Sequence, residues 1–129
     1  MVDTDITPQQ PLQVLVVDDD ASVLDVLEQA LSDRPGQQVT ACRSFEDARR
    51  RLREQSFDVL LTDVRLGAFN GLQLAVLAKD VNPQTRVIVF SGFDDVVLRD
   101  EAEQLGATYI VKPVQAGVLQ ALISGAPTL

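Results

Sequence analysis

Apolar and polar positions come in blocks along this chain, and the period changes from block to block. Residues 12–17 are rich in β-branched side chains and end in Asp18-Asp19-Asp20, which reads as a buried strand. Val23, Val26, Leu27, Ala30 and Leu31 then recur at the spacing of one helix face. Asp20 or Ser22 is placed to cap that helix, and Pro35-Gly36 to end it. The alternation repeats. A short strand over 38–42 leads to a helix beginning at Ser44, with Phe45, Ala48 and Leu52 inward and an arginine-rich outer face. A buried strand over 57–62 closes on Asp63, and an apolar helix over 71–80 breaks at Asn82-Pro83. A strand over 86–90 closes on Ser91-Gly92, and a helix over 94–105 stops at Gly106. A last strand over 109–111 runs into Lys112-Pro113, and a final helix covers 115–123.

Five strands and five helices in strict alternation predict an α/β fold: a doubly wound five-stranded parallel sheet with helices on both faces, joined by right-handed crossovers. The chain has 129 residues, the size of one domain, and 46% of them are apolar, enough for a real core. We read 1–11, with Pro8 and Pro11, as a flexible leader, 12–123 as the domain, and 124–129 as a tail or the start of a linker.

Composition removes several function classes. The net charge of −8 repels phosphate backbones and anionic lipid, so neither nucleic acid nor membrane is an expected partner of this domain. There is no histidine, which excludes a Ser-His-Asp triad, a phosphohistidine carrier and His-ligated zinc. Cys42 is the only cysteine and has no internal disulfide partner. The first eleven residues have neither the basic start nor the apolar stretch of a signal peptide, and the apolar runs are far shorter than a membrane span. A cytoplasmic location is the expectation.

In an open doubly wound sheet, ligands bind beyond the carboxyl ends of the strands, where strand order reverses. The residues that follow the strands are therefore the ones to examine. They are Asp18, Asp19 and Asp20 after the first, Asp63 after the third, Ser91 after the fourth and Lys112 after the fifth. Two like charges about 4 Å apart cost about 4 kcal/mol at an effective dielectric near 20. A pocket holding Asp18, Asp19 and Asp63 is strained unless a cation shares it. Oxygen-only donors favour a hard ion, and Mg²⁺ suits a site of few carboxylates. A magnesium ion beside an ammonium is what a transferring phosphoryl group requires, and a carboxylate there can act as the nucleophile. Taken singly, each residue has a plain structural role: Asp20 a helix cap, Ser91 a turn residue, Lys112 a surface lysine, Tyr109 a core aromatic with a wet tip. Their joint placement at strand ends is what argues for a site.

Four segments together resemble the receiver domain of two-component response regulators: VLVVDDD at 14–20, DVLLTDVRLGAFNG at 58–71, VIVFSG at 87–92 and YIVKP at 109–113. They occur in order over nearly the whole chain. The resemblance implies a flavodoxin-like strand order 2-1-3-4-5. It also implies that Asp63 is the phosphoacceptor, that Asp19 binds Mg²⁺ directly and Asp18 through water, and that Arg65 gives the metal its backbone carbonyl. Ser91 would hydrogen-bond the phosphoryl group, Lys112 would pair with it, and Lys112-Pro113 would be a cis peptide. Tyr109 occupies the switch position, whose ring turns inward as Ser91 shifts. The chain departs from the family after the acceptor, where Leu66-Gly67-Ala68-Phe69-Asn70-Gly71 lacks the usual proline; that predicts a freer loop.

The function so implied is a phosphorylation-dependent signalling switch. Its donor is a sensor histidine kinase or a small phosphodonor, and its output is altered binding of an effector domain or protein. The face made by the fourth helix, fifth strand and fifth helix would change, with a dimer as one outcome; Val96, Val97, Val114 and Val118 belong either to that face or to the core. As a phosphoacceptor domain it would not be an enzyme in the ordinary sense, beyond self-phosphorylation and slow self-dephosphorylation. Two alternatives are a phosphorylation-independent docking receiver and an aspartate-nucleophile phosphatase with Asp18 and Asp20 in D-x-D positions. The complete acidic set argues against the first, and the missing threonine after Asp20 against the second.

Overall fold

A computed structural model describes residues 10–125. Five long strands form one parallel sheet: β1 (Leu12–Val17), β2 (Gln37–Cys42), β3 (Val59–Asp63), β6 (Arg86–Ser91) and β7 (Thr108–Val111). Between β3 and β6 lies an antiparallel ribbon of two-residue strands, β4 (Arg65–Leu66) and β5 (Phe69–Asn70). The order across the main sheet is β2-β1-β3-β6-β7, which is the expected 2-1-3-4-5 arrangement of the long strands. The order reverses between β1 and β3, so their carboxyl ends flank the crevice where this fold places ligands.

Side-chain alternation along the central strands feeds two cores. Leu15, Val17, Leu60, Val87, Val89 and Tyr109 face the helices α2 (Phe45–Glu54), α3 (Leu72–Val81) and α4 (Val96–Gln104). Val14, Val16, Val59, Leu61, Ile88 and Phe90 face α1 (Ala21–Ser32) and α5 (Ala116–Ser124). Burial on both faces explains why these strands read as near-continuous apolar runs instead of strict alternations.

The element boundaries follow local chemistry. Asp20 caps α1, its side chain accepting from the N–H groups of Ser22 and Val23. Ser44 caps α2, whose outer arginines pair with acids on their own helix, Arg49 with Glu46 and Arg50 with Asp47 and Glu54. Asp95 caps α4 and lies just inside the helix expected over 94–105. The third strand starts two residues later than expected: Phe57 is buried, but Asp58 turns out to accept the Gln13 N–H, and pairing begins at Val59. Asp63 is the last residue of that strand rather than the first after it. The loop expected to be freer for want of a proline instead pairs with itself. Gly67 takes a left-handed φ of 61° at its turn, and Phe69 stacks on Phe45 with ring centroids 4.5 Å apart. Most of the leader read over 1–11, and residues 126–129 of the tail, lie outside the described residues.

Candidate functional site

The site is assembled at the carboxyl ends of β1, β3, β6 and β7. Asp18 follows directly on β1 and is fully buried, whereas Asp19 is exposed and Asp63 is nearly buried. One carboxylate oxygen from each of Asp18, Asp19 and Asp63 lies within 4.8 Å of the other two. Lys112, just beyond β7, reaches across: its Nζ donates to Asp63 Oδ2 at 3.0 Å and to Asp18 Oδ2 at 3.4 Å. Its approach is fixed at the backbone by the Lys112 N–H, which donates to the Ser91 carbonyl at 2.7 Å. The Lys112-Pro113 peptide is cis. The sheet thus brings Asp18, Asp19, Asp63 and Lys112 into one cluster, as the strand-end argument expected.

The remaining candidates stand around that cluster. Arg65 is exposed; its N–H donates to Asp63 Oδ1 at 3.3 Å, and its guanidinium lies 5.5 Å from the Phe93 ring centroid. Ser91 is buried at the end of β6, where its Oγ accepts the Phe93 N–H at 3.2 Å. Tyr109 is 5% exposed, its ring packed inward and its hydroxyl donating to the Phe93 carbonyl at 2.7 Å. Asp20 stands apart as the cap of α1, with its carboxyl held below the ordinary value by the Ser22 hydroxyl and the Val23 and Ser22 N–H groups. Burial, with the Asp47 carboxylate beside it, pushes the Cys42 thiol up to about 12, which keeps it protonated at neutral pH.

Two glycines that the sequence places only in the loop after β3 turn out to support the cluster. The Gly67 N–H donates to Asp19 Oδ2 at 3.2 Å, so the ribbon closes on the acidic cluster. Gly71 packs so tightly that a Cβ there would stand 2.0 Å from the Asp63 carbonyl oxygen. The Gly71 dihedrals are ordinary helical ones, so nothing in local turn propensity marks the position; it is space that demands glycine.

Charge sets the state of the cluster. Burial raises the Asp18 carboxyl above its ordinary value, and the Asp63 charge adds to this; the Asp20 N–H and Lys112 oppose it without cancelling it. Burial alone would lower the Lys112 ammonium, but the hydrogen bond and charge of Asp63, joined by Asp18, hold it above the ordinary lysine value. An acid whose folded pKa is raised stabilises the fold fully only below its unfolded value of 3.8, and that contribution is lost as pH rises through the folded one. At neutral pH the ionised Asp18 therefore works against folding. Lys112 contributes below 10.5 and loses this as pH climbs through its raised value. In a divalent-free buffer at pH 7, Asp18→Asn is expected to be more stable than the parent. The amide keeps an oxygen for the Asp20 N–H, and the gap closes as pH falls toward 4. Thermal melts across that range check this; a variant less stable at every pH contradicts it.

All the side-chain donors around the cluster are oxygens, a set that suits a hard cation, and three carboxylates against one ammonium leave charge for it to balance. The donor set fits a divalent ion held by Asp18, Asp19 and Asp63.

Comparison with known proteins agrees with this arrangement. Residues 14–124 match the family model described as the response regulator receiver domain. The transcriptional regulatory protein ZraR of Escherichia coli K12 is 35% identical over 116 residues, which cover 89% of this chain and 26% of that protein. A CheY-like receiver domain from Methanospirillum hungatei superposes with a TM-score of 0.83 at 26% identity, over 89% of this chain and 92% of that one. The beryllofluoride-activated receiver domain dimer of NtrC4 superposes with a TM-score of 0.80 at 27% identity, over 88% and 94%. The chain belongs to the receiver domain family of two-component response regulators. It spans about a quarter of the length of ZraR. Among the described residues no helix is long and apolar enough to cross a membrane.

Proposed function

We propose that this domain is a phosphorylation switch in which Asp63 accepts a phosphoryl group from a sensor histidine kinase or a small phosphodonor. The observation that carries the reading is the Asp18–Asp19–Asp63 cluster with Lys112 bridging two of its members. Asp19 and Asp63 would hold Mg²⁺ directly, Asp18 through water, and Arg65 through its backbone carbonyl. Bound there, the ion would supply positive charge to the equatorial oxygens of the phosphoryl group in flight. Asp63 supplies a carboxylate oxygen that attacks phosphorus in line, forming an acyl phosphate as the bond to the donor breaks. Lys112, held against Asp63, matches the negative charge that builds up, and the Ser91 hydroxyl donates a hydrogen bond to a phosphoryl oxygen.

A protein donor is supported by an apolar cleft of about 590 Å³ beside Lys112, between α1 and α5, lined by Val23, Val26, Leu27, Pro113, Val114 and Leu119. Binding there would take place in the cytoplasm, where a kinase transmitter presents its phosphohistidine. The output would pass through the face of α4, β7 and α5. Val96, Val97 and Val118 are exposed on it, while Val114 is half-buried against the α1–α5 core. A dimer through this face is one outcome, in line with the dimeric NtrC4 receiver. An effector domain elsewhere in a longer protein, or a separate protein, would read it.

The test is incubation with acetyl phosphate, with and without Mg²⁺, followed by intact-mass measurement. One phosphoryl group should be added only with Mg²⁺, and none to Asp63→Asn. Failure of the parent chain to be modified leaves the phosphorylation-independent docking module as the better reading. Sustained hydrolysis of p-nitrophenyl phosphate, lost in Asp18→Asn but kept in Asp63→Asn, would instead identify a phosphatase.

A further inference from the structure

Tyr109 is the only tyrosine in the chain, which also lacks tryptophan. Its buried ring is held by more than its place on β7. The Arg99 guanidinium lies over the ring face, 4.9 Å from the centroid, and is braced by Asp94 Oδ1 at 2.7 Å. The Tyr109 hydroxyl donates to the Phe93 carbonyl at 2.7 Å, and the Phe93 N–H donates to Ser91 Oγ at 3.2 Å. The Phe93 residue is thus pinned at both peptide ends, between the tyrosine and the serine. An arginine near the start of α4 opposes the helix dipole, so helix stability does not account for its position. Stacking on Tyr109 does.

We propose that Arg99 is a positioning residue that clamps Tyr109 inward and, through Phe93, holds Ser91 ready for a phosphoryl group on Asp63. A hydroxyl that accepts one hydrogen bond still has its own proton to donate. Ser91 Oγ can therefore keep the Phe93 N–H and still donate a hydrogen bond to the phosphoryl oxygen. Every contact in the clamp is made by groups of the chain itself, so the clamp biases the ring inward before any phosphoryl group is present. Phosphorylation consolidates the loop after β6 instead of pulling the ring in. The use made of Ser91 rests on the receiver reading proposed above; the clamp itself does not.

Because Tyr109 is the sole tyrosine and the chain has no tryptophan, acrylamide quenching of tyrosine emission reports on this ring alone. The parent chain, Arg99→Ala and Asp94→Asn are compared with and without beryllofluoride plus Mg²⁺, binding of the fluoride being followed independently by fluorine NMR. In the parent, quenching should be low and unchanged by beryllofluoride. In Arg99→Ala the outward population should rise about two- to fivefold, read as a rise in quenching, and beryllofluoride affinity should fall only by the inward fraction lost. Beryllofluoride should then restore protection in the variant. Asp94→Asn, a change at an exposed brace, should shift quenching the same way by less, and it preserves the test if Arg99→Ala does not fold by circular dichroism. A parent ring that is open to acrylamide and closes only with beryllofluoride overturns the clamp, as does an Arg99→Ala ring protected like the parent. An opened ring in Arg99→Ala together with no beryllofluoride binding by any chain sustains the clamp and defeats the receiver reading.

Discussion

Adding one methyl group at position 71 is expected to cost the fold about 3 kcal/mol, and to displace Asp63, the proposed acceptor, with it. The Cβ of Gly71→Ala would stand 2.0 Å from the Asp63 carbonyl oxygen, 2.9 Å from Thr62 Oγ1 and 3.0 Å from the Asp63 carbonyl carbon. The first and last of these are backbone, so no rotamer change relieves them. The same carbonyl accepts the Thr62 hydroxyl at 2.9 Å, and the Gly71 N–H is tied to the Val64 carbonyl at 2.6 Å. Either the start of α3 moves out or the end of β3 moves in, and the second displaces the Asp63 carboxylate from its cluster. The melting temperature should fall by about 10 °C, and acetyl phosphate labelling should fall further than unfolding alone explains. Gly67→Ala provides the comparison: it has open space but a left-handed φ of 61°, so its cost is one of backbone strain alone. A Gly71→Ala protein that melts and labels like the parent would show that the packing around Asp63 is looser than described.

Truncating Lys112 has the second large effect, this time on chemistry. Among the described residues, Lys112→Ala removes the only ammonium bonded to Asp63 and Asp18, and with it the charge that, on the proposed function, would meet the transferring phosphoryl group. Loss of one such preorganised partner lowers the rate by about 10²-fold or more. Mg²⁺ affinity should not fall in parallel, because removing a cation from among three carboxylates strengthens their pull on another. Labelling rates and metal titrations on the same sample separate the two. A variant that loses metal binding and labelling together would mean that Lys112 acts by holding the cluster in shape.

The strand-end acids were legible in the sequence because a parallel sheet forces them to one edge: any Asp that closes β1 or β3 must point into the same crevice. The five-strand alternation was legible for a related reason, since strands buried on both faces stand out as short β-branched runs. What stayed hidden depended on distances between segments remote in sequence or on backbone contact. The β4–β5 ribbon has only two residues per strand, too few for a period, and the stacking of Phe69 on Phe45 that accompanies it spans 24 positions. Gly71 has unremarked helical dihedrals, and its reason lies in the Asp63 carbonyl. Arg99 reads as a polar residue on an exposed helix until the Tyr109 ring is seen beneath it.

Calorimetric titration of the intact chain with Mg²⁺, in buffer freed of divalent ions, reaches the central claim most directly. If the carboxylates of Asp18, Asp19 and Asp63 converge on one cation, the titration gives a single site per chain, a raised melting temperature at saturating Mg²⁺, and no such site in Asp19→Asn. A chain that takes up no Mg²⁺, or that binds it equally well as Asp19→Asn, contradicts the site on which the switch is built.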